Sequence, residues 1–370
     1  MRRKNNYIHQ RKDWPNFTWS HEALHFALSK LRHLQGKLTG KMEVLGFALR
    51  EEAMLETLTM DVIKSTEIEG EILNAEQVRS SIARRLSMDI SGLIPSDRNV
   101  EGVVEMMLNA TQQYKQKLSA ERLFGWHASL FPTGRSGMYK IVTGKWRNDS
   151  TGPMQVVSGA MGKETVHYQA PDAALLNKEM KAFINWFNKE EKIDPVIKAA
   201  IAHLWFITIH PFDDGNGRIA RAIADMQLAR ADASPQRFYS MSAQIRKQRN
   251  AYYNILEKTQ KGNLDITEWL QWFLDCLYAA LTATDQTLAK VLNKAQFWKQ
   301  HAAAHINSRQ RLMINKMLDG FDGKLTSSKW AKITKCSADT ALRDIQDLIN
   351  KNILRKEQAG GRSTNYELNS

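Results

Sequence analysis

The chain has 370 residues, 43% of them hydrophobic, and a formal net charge of +13. That length holds two or three domains, and the apolar content is that of a folded globular protein, which excludes a disordered chain. The basic start, residues 1–12, lacks the apolar run of a secretory signal, and no apolar stretch is long enough to span a bilayer. With only Cys276 and Cys336, far apart and without metal-type spacing, the sequence predicts a cytoplasmic protein that has no membrane partner. The positive charge favours acidic partners such as nucleotides or nucleic acid.

Residues 1–95 read as a helical N-terminal region. Trp14, Phe17 and Trp19 form an aromatic stretch suited to packing, and Ser20 is placed to cap a helix over 21–35. A second helix is predicted over 42–64. Directly after it, Ser65 and Glu69 are four apart and so share a helix face, and Gly70 lets the chain turn. On its own this is a charged helix end. A short helix follows over 77–86, and residues 87–97, with Gly92 and Pro95, read as a linker.

A core is expected over 96–290. Apolar periodicity predicts helices over 100–118 and 120–130, and residues 131–137 are turn-rich. Two short alternating or β-branched runs, 154–158 and 165–169, joined by 159–164, signal a hairpin in an otherwise helical chain. Helices over 172–188 and 195–209 lead to the most informative stretch, His210-Pro-Phe-Asp-Asp-Gly-Asn-Gly-Arg-Ile-Ala-Arg221.

Pro211 removes an amide donor and disfavours the α region at His210, so the apolar helix should end there. A polar loop follows, and Arg218 is expected to open a second helix running to about Arg230. Unpaired amides and the positive dipole end of a helix attract an anion, and Gly215 and Gly217 allow close backbone approach. Asp214 is a hard oxygen ligand suited to magnesium, Arg218 and Arg221 lie on one helix face, and His210 can accept a proton near neutral pH.

Every defined position of the pattern His-Pro-Phe-x-(Asp/Glu)-Gly-Asn-Gly-Arg-x-x-Arg is present, and the stretch resembles the signature of the Fic family of adenylyltransferases. The resemblance implies a mainly α fold: a Fic-type helical bundle with a short β-hairpin flap. It implies transfer of AMP from ATP, with Mg2+, to a Ser, Thr or Tyr hydroxyl of a target protein or of the chain itself. His210 would deprotonate the hydroxyl and Asp214 would hold magnesium. Asn216 and the Gly215 and Gly217 amides would hold phosphates, Arg218 and Arg221 would reach the distal ones, and Phe212 would anchor the loop.

Ser65, Glu69 and Gly70 also match the family's inhibitory pattern (Ser/Thr)-x-x-x-Glu-(Gly/Asn), which implies that Glu69 pairs with Arg221 and blocks productive ATP binding. Thr66 and Glu71 miss that spacing. In some members the same Glu positions water and removes AMP, so both roles stay open for Glu69. The hairpin resembles the Fic flap, with Thr165, Val166, His167, Tyr168 and Gln169 as the strand that would pair with a target. Tyr252 and Tyr253, within a helix over 246–258, match a pair that borders the adenine site in relatives. Homodimers also occur among relatives.

An aromatic helix over 265–278 closes the core. Residues 296–370 read as helices over 308–318, 327–333 and 337–351, then strands 353–356 and 364–368 around the turn 358–362, the order of a winged helix. This piece has 13 Lys and Arg against 7 Asp and Glu. Ser337, Thr340, Arg343 and Arg362 are its candidate DNA contacts, although such modules also dock proteins. A DNA-binding regulator with a nucleotide-sensing site, and a transferase with another phosphorylated donor, are the remaining alternatives.

Overall fold

The computed structural model describes residues 7–43, 46–88, 90, 92–150, 152–159, 163–190, 192–321, 323–357 and 364–369. Among the described residues helix dominates, and the strands form three two-stranded antiparallel sheets. The chain divides into two compact units, the first taking in residues up to Gly46, then 54–88 and 94–284.

In chain order the helices and strands assigned to the N-terminal and core regions are α1 (His21–Glu43), α2 (Phe47–Ile68), α3 (Ala75–Arg85), α4 (Arg98–Gln112), α5 (Ala120–Leu130), β1 (Arg135–Ser136), β2 (Tyr139–Lys140), β3 (Gln155–Ser158), β4 (Thr165–Gln169), α6 (Leu176–Asn188), α7 (Pro195–Ile209), α8 (Asn216–Ala231), α9 (Met241–Lys247), α10 (Arg249–Gln260) and α11 (Thr267–Gln300). Helix starts follow the capping chemistry. Ser20, Asn74, Asp97, Ser119, Asp194 and Ser240 each accept a first-turn amide with their side chains.

Helix ends depart from the expected ones where side chains intervene. Helix α1 runs to Glu43 rather than 35, because Leu31, Leu38 and Met42 continue its buried stripe. Helix α4 stops at Gln112 rather than 118. The Arg122 guanidinium donates to the carbonyls of Asn109, Gln113 and Gln116 at 2.6, 3.2 and 3.2 Å, so the carbonyls a longer helix would have used are satisfied from outside. The helix read over 246–258 is two helices that break at Gln248, and the one read over 265–278 continues to Gln300.

Helix α7 is apolar on all sides and every residue after Pro195 is buried, as expected of a central core helix. Helix α8 packs beside it and is buried as well, yet it carries Arg218, Arg221 and Asp225. Buried charges need partners. Asp225 pairs with Arg237 at 2.5 Å, and Asp61 of α2 accepts from Ser240 Oγ and Ser242 N, which ties α2 to the start of α9. Trp14 and Phe17 pack edge-on against Trp205 of α7.

The second unit takes in residues 47–53, 89–93 and those from Asp285 on, and adds α12 (Ser308–Gly320), α13 (Ser327–Thr334), α14 (Ala338–Asn350), β5 (Leu354–Lys356) and β6 (Tyr366–Leu368). Trp330, Ile345, Leu348 and Ile353 are central to its core. Strands β5 and β6 are antiparallel, and Leu325 makes an isolated bridge to Tyr366. Both cysteines are free thiols. Cys276 is buried in α11, whereas Cys336 is half-buried in the turn between α13 and α14. Among the described residues no helix is long and apolar enough to cross a membrane.

Helices α4 and α5 touch through backbone. A Cβ placed on Gly102 would lie 1.8 Å from the Ser129 carbonyl oxygen, which cannot rotate away. Gly102→Ala is therefore expected to destabilise the first unit by about 1–3 kcal/mol, the usual range for overpacking, and to lower its urea midpoint. An unchanged midpoint would show that the two helices separate freely.

Candidate active site

Helix α7 ends at His210, whose φ of 52° and ψ of 58° put it in the left-handed region, with its N–H bonded to Phe206 O. This turn aims the imidazole into a cavity of about 610 Å3 also lined by Glu69, Asp213, Asp214, Gly217, Tyr252 and Tyr253. His210 Nδ1 lies 3.2 Å from Ile207 O. A carbonyl only accepts, so Nδ1 carries the proton and Nε2 keeps its lone pair. Burial lowers the His210 pKa to about 4, with the Ile207 carbonyl and the carboxylates of Asp214 and Glu69 opposing the shift. The ring is thus a neutral acceptor at physiological pH.

The loop after His210 is held from several sides. Arg147, itself buried, donates from Nε to His210 O at 2.8 Å and from its backbone N–H to Pro211 O at 2.9 Å. His127 stacks on Phe212 at 4.2 Å, donates from Nε2 to Asp214 O and accepts from Gly144 N. Neither residue was singled out from the sequence, since an Arg beside a turn and a His in an amphipathic helix carry no spacing signal. Phe212 is fully buried, in keeping with the anchoring role expected of it.

Helix α8 begins at Asn216, two residues earlier than expected, with Gly215 as its N-cap at φ 80°. Gly215 has no side chain to cap the helix, and the amides of Asn216, Gly217 and Arg218 form its first turn. Asn216 lines the cavity, and its side chain also braces the loop. Its Oδ1 accepts from Phe212 N at 3.0 Å and its Nδ2 donates to Phe212 O at 2.8 Å. Asp214 Oδ1 accepts from Gly215 N and its Oδ2 from Ser136 of β1, at 2.6 and 2.5 Å. Each oxygen retains a lone pair, so the carboxylate fits a cation that is otherwise bound by phosphate oxygens. Among the described residues no group of three or more His, Cys, Asp or Glu could hold a metal by itself.

The end of α2 meets the start of α8. Gly70, at φ 89°, reverses the chain after Glu69, as its position in the sequence suggested. Arg221 is buried and donates to Ser65 Oγ, Ser65 O and Glu69 Oε1 at 2.9, 2.8 and 2.7 Å, while its Nη1 has no partner. Burial opposes the Arg221 charge, but the Glu69 carboxylate outweighs it and raises the pKa. The same carboxylate lies against the α8 N-terminus, since a Cβ on Gly217 would fall 2.2 Å from Glu69 Oε1. Glu71, which misses the inhibitory spacing, pairs with the other motif arginine, Arg218, at 3.1 Å. No linear pattern could have shown this, because the turn at Gly70 decides where Glu71 points. Arg218 also stacks over Phe131, 5.2 Å from the ring centroid.

Strands β3 and β4 form the expected hairpin. Thr165 and Val166 are exposed, and Gln169 bonds Gln155 across the pair. Tyr168, grouped with the docking strand in the sequence reading, is fully buried, and its hydroxyl donates to Thr208 O at 2.7 Å, so it anchors the hairpin to α7. His167 bonds Ser158 and Glu257. Tyr252 is buried with its hydroxyl on His203, and Tyr253 is partly exposed; both line the cavity. In the C-terminal unit Ser337 caps α14 and bonds Thr340, Arg343 is exposed on that helix, and Arg362 lies outside the described residues.

A helical bundle that presents a neutral histidine, an aspartate and the start of a helix to one cavity, with two arginines of that helix paired to Glu69 and Glu71, defines a class of site suited to anionic ligands. Residues 117–228 match the Fic/DOC family, and the chain carries a Fic/DOC family domain; residues 7–88 match a domain of unknown function (DUF4172). The chain is 29% identical over 233 residues to the protein adenylyltransferase Fic of Drosophila yakuba, a match covering 62% of this chain and 42% of that protein. The same protein of Drosophila grimshawi is also 29% identical, with 43% of its length covered. The chain therefore spans less than half the length of these curated relatives. The fold is similar to a Fic family protein from Desulfovibrio desulfuricans G20, with a TM-score of 0.55, 20% identity and 96% and 98% of the two chains covered. It is also similar to a Fic domain containing signaling protein from Bacteroides thetaiotaomicron VPI-5482, with a TM-score of 0.51, 20% identity and 70% and 97% covered.

Four histidines are held neutral, His127 and His203 buried and His9 and His210 half-buried. Burial lowers the pKa from 6.5 to about 4 for His9, His127 and His210 and about 3 for His203. Below 6.5 the unfolded chain takes up protons that the folded chain refuses. Stability present above pH 6.5 is thus expected to fall as pH drops toward 4, which urea unfolding across that range will measure. Constant stability over the interval would contradict the neutral rings.

Proposed function

We propose that the chain is a protein adenylyltransferase that moves AMP from ATP to a hydroxyl side chain of a protein substrate and is restrained by its own Glu69. The observation that carries this reading is the Glu69 carboxylate, bonded to Arg221 and lying against Gly217. It stands where a nest of amides and a buried guanidinium would otherwise take phosphate oxygens.

In the released site the first-turn amides of α8 and the two arginines hold the phosphates, and Tyr252 and Tyr253 offer aromatic faces to the base. Asp214 would hold magnesium, which would supply charge neutralisation there. The exposed edge at Thr165 and Val166 pairs with the main chain of the substrate, which leaves the hydroxyl side chain free to enter. His210 Nε2 takes the hydroxyl proton as the oxygen attacks the α-phosphate and pyrophosphate departs. Positioning and charge stabilisation do most of the work in such transfers. Glu69 shares the cavity with His210, an arrangement that also suits water attack on an adenylylated protein.

Glu71 adds a second restraint through Arg218. Its side chain is 54% exposed, so its contribution is the smaller one.

The test is labelling of lysate proteins by ATP carrying label at the α-phosphate, with magnesium. Glu69→Gly is expected to raise transfer by about ten-fold or more, Glu71→Gln by about two- to five-fold, and His210→Ala to lower it by about a hundred-fold or more. A Glu69→Gly chain that binds ATP yet labels nothing rules the reading out.

A further inference from the structure

Three cavity-lining side chains that the proposed reaction leaves unused stand in a chain of hydrogen bonds. Ser158 ends β3, His167 lies on β4 and Glu257 on α10. Ser158 Oγ is 2.6 Å from His167 Nε2, His167 Nδ1 is 2.7 Å from Glu257 Oε2, and Lys261 Nζ is 2.5 Å from Glu257 Oε1. Lys261 keeps the carboxylate ionised, since its hydrogen bond is the first cause that lowers the Glu257 pKa, followed after the opposing effect of burial by that from His167.

With the His167 ring neutral, the proton directions in this chain follow from the carboxylate. An ionised carboxylate only accepts, so His167 Nδ1 carries a proton. In the neutral ring Nε2 is then an acceptor, and the proton between it and Ser158 belongs to the serine. Register adds a second observation. Val156 pairs with Tyr168 and Val157 with Val166, which makes His167 the extra residue of a β-bulge. Bulges of this kind re-aim a side chain. The result is a hydroxyl, a base and an orienting carboxylate in the order that activates a serine oxygen.

We propose that Ser158 is an internal acceptor, a hydroxyl activated by His167 and Glu257 that takes the adenylyl group from ATP bound in the same cavity. The inference rests on the adenylyltransferase reading. A bond forms between Ser158 Oγ and the α-phosphorus, and the bond from that phosphorus to the bridging oxygen breaks. Pyrophosphate leaves, and the serine proton goes to His167 Nε2, whose positive charge Glu257 stabilises. The product is an AMP ester on the hairpin that would receive a protein substrate, so self-modification competes with transfer to other proteins.

The experiment uses the full Glu69→Gly chain with ATP, magnesium and lysate, reading adenylylated peptides by mass spectrometry and labelled lysate proteins in the same reaction. Ser158 is expected to carry the adenylyl group. Glu257→Gln keeps an acceptor for Nδ1 but not the charge, and it is expected to slow Ser158 modification by about ten-fold or more; His167→Gln removes the base and is expected to do the same. Labelled lysate proteins beside an unmodified Ser158 peptide would overturn the inference and leave the transferase reading intact. Ser158 modified at an undiminished rate in both variants would also overturn it. Absence of label everywhere would remove the transferase reading, and the internal acceptor with it.

Discussion

The buried guanidinium of Arg221 is the constraint on which the site depends. A charge with almost no exposure is tolerable only with hydrogen-bond partners and a counter-charge, and both come from α2, through Ser65 and Glu69. Removing α2 without replacement would leave the charge uncompensated, at a cost of several kcal/mol. Phosphate oxygens can serve as the replacement, so under the proposed function restraint and nucleotide binding are alternative ways to satisfy the same group. This links residues 7–88 to the Fic/DOC domain as parts of one site.

The rest of the first unit holds that exchange in place. Asp61 fixes α2 to α9 one turn before Ser65, and Arg249 donates to Ile68 O at 2.7 Å, closing the helix end where Glu69 emerges. Across the site, Arg147, His127 and Asn216 lock the loop between α7 and α8 through its backbone. Their polar groups bond the backbone of the loop and so brace its shape from within the protein. Such preorganisation is what electrostatic stabilisation of a transferring phosphoryl group requires.

The hairpin joins two demands. Tyr168 anchors it to α7 through Thr208, while the edge at Thr165 and Val166 stays exposed. His167, displaced by the bulge, turns toward α10 and reaches Glu257. One strand therefore contributes an exposed edge and a polar relay, on different residues and in different directions.

Local patterns in the sequence were enough to determine the helical class, the hairpin, the break at His210-Pro211 and the candidacy of His210, Asp214 and Arg221. Each of these depends on residues within a few positions of one another, where periodicity, proline sterics and glycine conformations act directly. Helix ends were less legible, as α4 shows, because Arg122 draws on carbonyls up to 13 positions away. The tertiary structure alone decided that Asn216 braces its own loop, that Tyr168 is an anchor, that Arg147 and His127 hold the motif and that Glu71 meets Arg218. It also brought Glu257 to His167 across 90 positions. These outcomes depend on which backbone carbonyl or side chain the packing places within hydrogen-bond reach, and sequence spacing carries no record of that distance.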